Sequence, residues 1–174
     1  TLVGSTGARR LTTDPADDYA PSWSPDGRRI AFLRRFEKAA RIHVVSALGG
    51  SESQVSEFPV GATVPNSLFT AEISWSPDGR YLAAGLDPRA TTPGSAGIYL
   101  IPIDGGEPVA LTRPRSPTFH FSPVFSPGGR HVAYAACEIP GLDASTLMPD
   151  NCSVASVQVD ASFAPVGTAT AQPA

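Results

Sequence analysis

Ser22-Trp23-Ser24-Pro25-Asp26-Gly27-Arg28-Arg29-Ile30-Ala31-Phe32 returns as Ser74-Trp75-Ser76-Pro77-Asp78-Gly79-Arg80-Tyr81-Leu82-Ala83-Ala84. An altered third copy reads Val124-Phe125-Ser126-Pro127-Gly128-Gly129-Arg130-His131-Val132-Ala133-Tyr134. A fixed period of about fifty residues marks stacked supersecondary units in place of one irregular domain. In each copy a proline (Pro25, Pro77, Pro127) presets φ at the second position of a tight turn. Asp26 and Asp78 suit the third position, and Gly27, Gly79 and Gly129 take a place that favours positive φ. Ser-Pro-Asp-Gly therefore joins two short strands. Gly128 replaces the aspartate in the third copy, and the turn survives because the backbone demand falls on Gly129.

The strand after each turn is apolar on both faces. Ile30 and Phe32 point one way, Ala31 and Leu33 the other, and the pattern recurs at Tyr81 to Ala84 and at His131 to Ala135. A continuous apolar run reads as a strand covered on both sides, so each sheet must lie between two others. A β-branched third strand follows at Arg41 to Val45, Gly97 to Ile103 and Cys152 to Val159. Gly49-Gly50 and Asp104-Gly105-Gly106 then signal a second hairpin, the latter of the primed-turn kind. More polar outer strands are expected at Glu52 to Glu57, Glu107 to Thr112 and Ala164 to Thr170. Four antiparallel strands per repeat, buried in the middle and polar at the rim, describe a propeller blade.

The fold expected is thus all-β, a partial β-propeller forming a single segment over residues 1–174. It has three four-stranded antiparallel blades at about 17–57, 70–112 and 119–170. Residues 8–12 (Ala8-Arg9-Arg10-Leu11-Thr12) match Val109 to Thr112 in type and read as the outer strand of a preceding or closing blade. The composition agrees. The 174 residues fit one domain. An apolar share of 41% is enough for a core, while 16 glycines and 18 prolines suit a turn-rich β-protein. A net charge of -3 gives no electrostatic case for nucleic acid, and no apolar run is long enough to span a bilayer. The early arginines, Arg28, Arg29, Arg34 and Arg35 among them, read as a solvated mixed-charge surface.

The turns on one side of the blades are short and the connections on the other are long, which marks the latter as the binding face. Candidates there are Arg89, Arg113, Arg115, Phe119 and His120. Arginines beside an aromatic ring suit a carboxylate, a phosphate or an acidic peptide. His43 reads as structural. Asp14, Asp17 and Asp18 could hold calcium, but later repeats have no equivalent and a solvated turn is the simpler reading. No G-x-S-x-G, H-E-x-x-H, P-loop or G-x-G-x-x-G occurs, so no catalytic residue, metal ligand or cofactor is assigned. The two cysteines, Cys137 and Cys152, bracket one connection between neighbouring strand ends. A disulfide is expected, with two buried thiols as the alternative. A bridge would place the segment outside the cytoplasm, in the periplasm or beyond.

Leu-Thr, Asp, Tyr-Ala-Pro-Ser-Trp-Ser-Pro-Asp-Gly-Arg-Arg-Ile-Ala-Phe, Ile-His-Val-Val and Gly-Gly, in that order, resemble the TolB-type propeller repeat, a relative of the WD repeat. The resemblance covers roughly residues 8 to 170. It implies a non-enzymatic recognition module of a larger bacterial protein, either TolB-like or the sensor region of a membrane-anchored kinase or winged-helix regulator. The alternative is the substrate-gating propeller of a prolyl-oligopeptidase-type serine hydrolase whose nucleophile lies in another domain. Three blades leave two apolar faces bare. They are covered by the remaining blades of a longer chain, by a protein or peptide partner, or by a homodimer closing a six-bladed ring. Neither a nucleic-acid partner nor a membrane contact by this segment is expected.

Overall fold

The computed structural model describes residues 7–36, 39–59, 72–86, 97–115, 118–138 and 150–160. They hold three antiparallel sheets. The first has the order β1 (Asp17–Trp23), β2 (Arg29–Arg35), β3 (Ala39–Ser46), β4 (Ser53–Pro59). The second repeats it with β5 (Ile73–Trp75), β6 (Tyr81–Leu86), β7 (Gly97–Pro102) and β8 (Val109–Ala110). The third has β9 (Thr118–Phe125), β10 (His131–Glu138) and β11 (Asp150–Gln158). The outer strand expected at 164–170 lies outside the described residues.

Each Ser-Pro hairpin closes as its sequence dictates. Gly27, Gly79 and Gly129 donate to the carbonyls of Ser24, Ser76 and Ser126 at 2.8–2.9 Å, with φ of 68°, 71° and 69°. Asp26 adds a side-chain brace by accepting from the Ser24 hydroxyl at 2.6 Å and from the Arg28 N–H at 3.0 Å. Asp78 does the same with Ser76 and Arg80. Gly128 has no side chain for this role, yet its turn closes. The second hairpin differs from its expected form. The tight turn is Pro102–Gly105, closed by Gly105 N–H to Pro102 C=O, and the positive-φ pair Gly105 and Gly106 follows it. Asp104 is spared the left-handed conformation that a primed turn would impose on it.

The sheets stack face to face. Ala31, Leu33, Ile42 and Val44 of the first pack against Trp75, Leu82 and Ala84 of the second. Ala83, Ile98 and Leu100 on the other side of the second sheet pack against Phe125, Val132 and Tyr134 of the third. Burying a side chain such as Ile42, Leu82 or Ile98 stabilises the fold by about 1.5–3 kcal/mol each. The inner strands β1, β5 and β9 are neighbours in turn, so the sheets converge on one edge. This is an all-β arrangement of the β-propeller type.

Two inner strands carry the same bend. Ala20 (φ 52°) and Ser122 (φ 51°) adopt the left-handed conformation at a bulge, and each precedes a proline, Pro21 or Pro123. Residues 8–12 join no ladder with a described strand. Thr12 instead gives a side-chain hydrogen bond to Asp18 at the entry to β1.

Candidate functional site

His120 is set by three elements. β9 carries it, in register with Ala136. Its Nδ1 lies 2.8 Å from the Thr112 hydroxyl, and its ring packs on Tyr134 with centroids 4.6 Å apart. Thr112 is buried, and its Oγ1 also accepts the Ile98 N–H at 2.8 Å. Burial alone lowers the imidazole pKa below its ordinary value, which favours a neutral ring. Two glycines permit the arrangement. A Cβ on Gly97 would meet the Thr112 carbonyl, and one on Gly85 would come within 2.9 Å of Phe121 Cα.

The other candidates on this face are spread out. Arg113 is exposed and lines a groove of about 320 Å³ at the outer rim, with Glu57, Tyr99 and Glu107. Arg115 is exposed, and its carbonyl accepts from Thr118 N–H at the entry to β9. Phe119 stands in register with Cys137. Arg89 lies outside the described residues. The structure therefore joins His120 to Thr112 and Tyr134 and places Arg113 on a different groove.

A second concavity lies along the inner strands. Ala20, Pro21, Glu72, Ile73, Ser74, Pro123 and Val124 line a space of about 420 Å³. The bends before Pro21 and Pro123 face it from the first and third sheets, and among the described residues that line it Glu72 is the ionisable one. The described wall is otherwise backbone and small side chains.

A buried polar cluster around Arg34 went unsignalled in the sequence. Arg34 is only 3% exposed, so the solvated surface expected for the early arginines does not hold at this position. Its Nε and Nη2 donate to the two carboxylate oxygens of Asp18 at 2.7 and 3.0 Å, and Nη1 donates to Glu52 at 2.6 Å. Asp14 stands 3.6 Å from the same guanidinium. Asp14 and Asp18, considered above for calcium, thus face an arginine. Burial works against a charged Asp18, but hydrogen bonds from Arg34 and Thr12 outweigh it and hold the carboxyl below its ordinary pKa. His43 stacks on Phe32 with ring centroids 5.6 Å apart and stands 3.9 Å from Glu52. Both its ring nitrogens are buried without a hydrogen bond. Burial first, then the charge of Arg34, lowers its pKa.

Cys137 and Cys152 form a disulfide, with Cα atoms 4.1 Å apart. It pins β10 to β11 beside the irregularity between Ala136 and Glu138. Among the described residues no helix is long and apolar enough to cross a membrane. Both facts are compatible with an extracytoplasmic location.

No family model matches the chain. Two curated proteins do. The chain is 28% identical over 149 residues to the uncharacterized peptidase YuxL of Bacillus subtilis, covering 67% of this chain and 21% of that protein. It is 33% identical over 103 residues to a Streptomyces coelicolor protein named as a tricorn protease homolog, covering 56% of this chain and 8% of that one. The chain thus spans about a fifth or less of the curated relatives it matches. Among solved structures, the AtxE2 isopeptidase aligns over 89% of this chain and 29% of its own, with TM-score 0.56 and 16% identity. Prolyl oligopeptidase B of Galerina marginata aligns over 90% and 22%, with TM-score 0.58 and 12% identity. An oligogalacturonate lyase of Vibrio parahaemolyticus aligns over 91% and 41%, with TM-score 0.58 and 15% identity. At these identities the solved structures establish the propeller fold alone. The sequence relatives correct one expectation. The expectation of a non-enzymatic module is overturned in favour of a link to enzymes, because the curated proteins that the chain matches are named as peptidases. The repeat motif is shared across many functions and left the hydrolase reading as the alternative, which these relatives favour.

Proposed function

We propose that this chain is the substrate-gating propeller of a prolyl-oligopeptidase-type serine hydrolase, with the nucleophile carried outside these 174 residues. The match to YuxL over 149 residues is the observation that carries this reading. It favours a peptidase over a sensor or scaffold, because both sequence relatives bear peptidase names. The fold contributes a mechanism. Sheets converging on a narrow inner concavity admit an extended peptide and exclude a folded one. The Ala20, Pro21, Pro123 and Val124 wall offers few polar groups to hold it, as a passage requires. The bridge between Cys137 and Cys152 suits an oxidising compartment.

The finer architecture belongs to the same proposal. The repeats are of TolB type and form three blades, with residues 8–12 as the outer strand of another blade. The test is activity-based labelling of the full-length protein with a fluorophosphonate, with peptide hydrolysis assayed alongside. Labelling outside residues 1–174, and faster cleavage of short peptides than of folded substrates, are expected. A full-length protein that neither labels nor cleaves peptides overturns the proposal.

A further inference from the structure

The first and third sheets open with the same construction, and its outcome differs at one position. A Leu-Thr pair precedes each inner strand, Leu11-Thr12 before β1 and Leu111-Thr112 before β9. Each threonine bonds to a side chain near the start of that strand, Thr12 to Asp18 and Thr112 to His120. Asp18 stands opposite Arg34 and His120 opposite Ala136, so Arg34 and Ala136 are counterparts. In the first sheet the Arg34 guanidinium lies 5.3 Å from the Phe32 ring centroid and donates to both carboxylate oxygens of Asp18. In the third, the His120 ring packs on Tyr134, the counterpart of Phe32, and Ala136 offers it no polar partner. His120 is half-buried, and its Nε2 makes no hydrogen bond among the described residues. The ring nitrogens buried without a partner among those residues are both on His43. Nε2 of His120 is therefore left to an outside partner.

Its protonation follows from Thr112, which is buried. Oγ1 already accepts the Ile98 N–H at 2.8 Å, and the acceptor within reach of the hydroxyl's own proton is His120 Nδ1, at 2.8 Å. Nδ1 then accepts, and the neutral ring carries its proton on Nε2. We infer that Nε2–H of His120 holds a main-chain carbonyl of the peptide substrate at the mouth of the inner concavity. This rests on the peptidase reading above. His120 lies on the inner strand β9, just ahead of the bend at Ser122 and of Pro123, which lines that concavity. The second and third sheets wall the crevice around it, and both belong to this chain, so its walls do not depend on further blades. The chemistry selects the ligand. A single neutral donor beside an aromatic ring and an alanine suits an uncharged acceptor, and every peptide supplies one in its backbone. A carboxylate would call for the cation that Ala136 lacks.

The test is steady-state hydrolysis of an internally quenched, proline-containing peptide by the full-length protein. Wild type is compared with His120→Phe and His120→Gln, on the same peptide with an amidated and with a free C-terminus. Active enzyme is counted by fluorophosphonate labelling, and circular dichroism checks the fold. His120→Ala makes the same deletion as His120→Phe without a ring to accommodate. Loss of one neutral hydrogen bond, made equally in the ground and transition states, should raise KM roughly three- to tenfold with kcat little changed. His120→Gln keeps an N–H donor and should restore most of the loss, and both peptides should respond alike. An unchanged KM in the deletion variants, a loss that His120→Gln does not restore, or a loss confined to the free-acid peptide overturns the inference and leaves the peptidase reading standing. A wild-type protein that neither labels nor cleaves overturns that reading and the inference with it.

Discussion

Arg34 and Asp18 are joined by a two-pronged ion pair in which Nε and Nη2 reach separate carboxylate oxygens at 2.7 and 3.0 Å. The pair ties β2 to β1, and Glu52 completes it from the entry to β4. Removing one partner of a buried pair leaves the other charge uncompensated. Arg34→Met is expected to destabilise the fold by about 3 kcal/mol, read from urea unfolding. Adding Asp18→Asn and Glu52→Gln to that variant should recover part of the loss. A neutral Arg34→Met would show that the network is not stabilising.

His43 should make stability depend on pH. Burial and the Arg34 charge hold its folded pKa below the ordinary histidine value of about 6.5, so the unfolded chain binds the proton more readily. Stability then rises with pH across that interval. It is fully present above 6.5 and is lost as pH falls through that value toward the folded pKa. The groups facing the ring are Arg34 and Arg41, which oppose its protonation, and Glu52 and Asp18, which favour it. His120 is displaced the same way by burial. Unfolding followed across mildly acid pH should therefore show a shallower slope in His43→Phe and little slope when His120→Phe is added. An unchanged slope in the double variant counts against this assignment.

Gly97 and Gly85 are expected to resist even the smallest side chain. The neighbours a Cβ would meet are backbone atoms, the Thr112 carbonyl for Gly97 and Phe121 Cα for Gly85. Backbone cannot step aside as a side chain can, so Gly97→Ala and Gly85→Ala should each cost about 1–3 kcal/mol. Thermal unfolding of the two variants checks this, with Gly128→Ala as the control, because nothing lies within 4 Å of its Cβ position.

The disulfide closes a stretch with sequence separation 15. The loop-entropy account gives about 3 kcal/mol for such a closure. Cys152→Ser, or reduction of the intact chain, should lower stability by that order, measured by denaturant unfolding with and without reductant.

The turns and the middle strands were legible because their causes are local. A proline, an aspartate and a glycine at fixed offsets define Ser24 to Gly27, and an unbroken apolar run defines Ile30 to Leu33. The Arg34 cluster was not legible. Arg28 and Arg34 are the same residue type in one stretch, yet Arg28 is exposed and Arg34 is buried. What separates them is Asp18 and Glu52, brought in from other strands by pairing that the sequence does not spell out. The peptidase connection was legible only as an alternative, for a related reason. Trp23, Pro25 and Gly27 report the demands of a hairpin and a sheet junction, and these hold whatever the propeller serves.

Trp23 and Trp75 are the chain's two tryptophans, and the stacking order assigns them opposite surroundings. Trp23→Phe isolates Trp75, and Trp75→Phe isolates Trp23. Fluorescence of the first should be blue-shifted and shielded from acrylamide, and that of the second red-shifted and readily quenched. Equal quenching of the two, or the reverse order, would contradict a second sheet packed on the first with the leading face of the first left open.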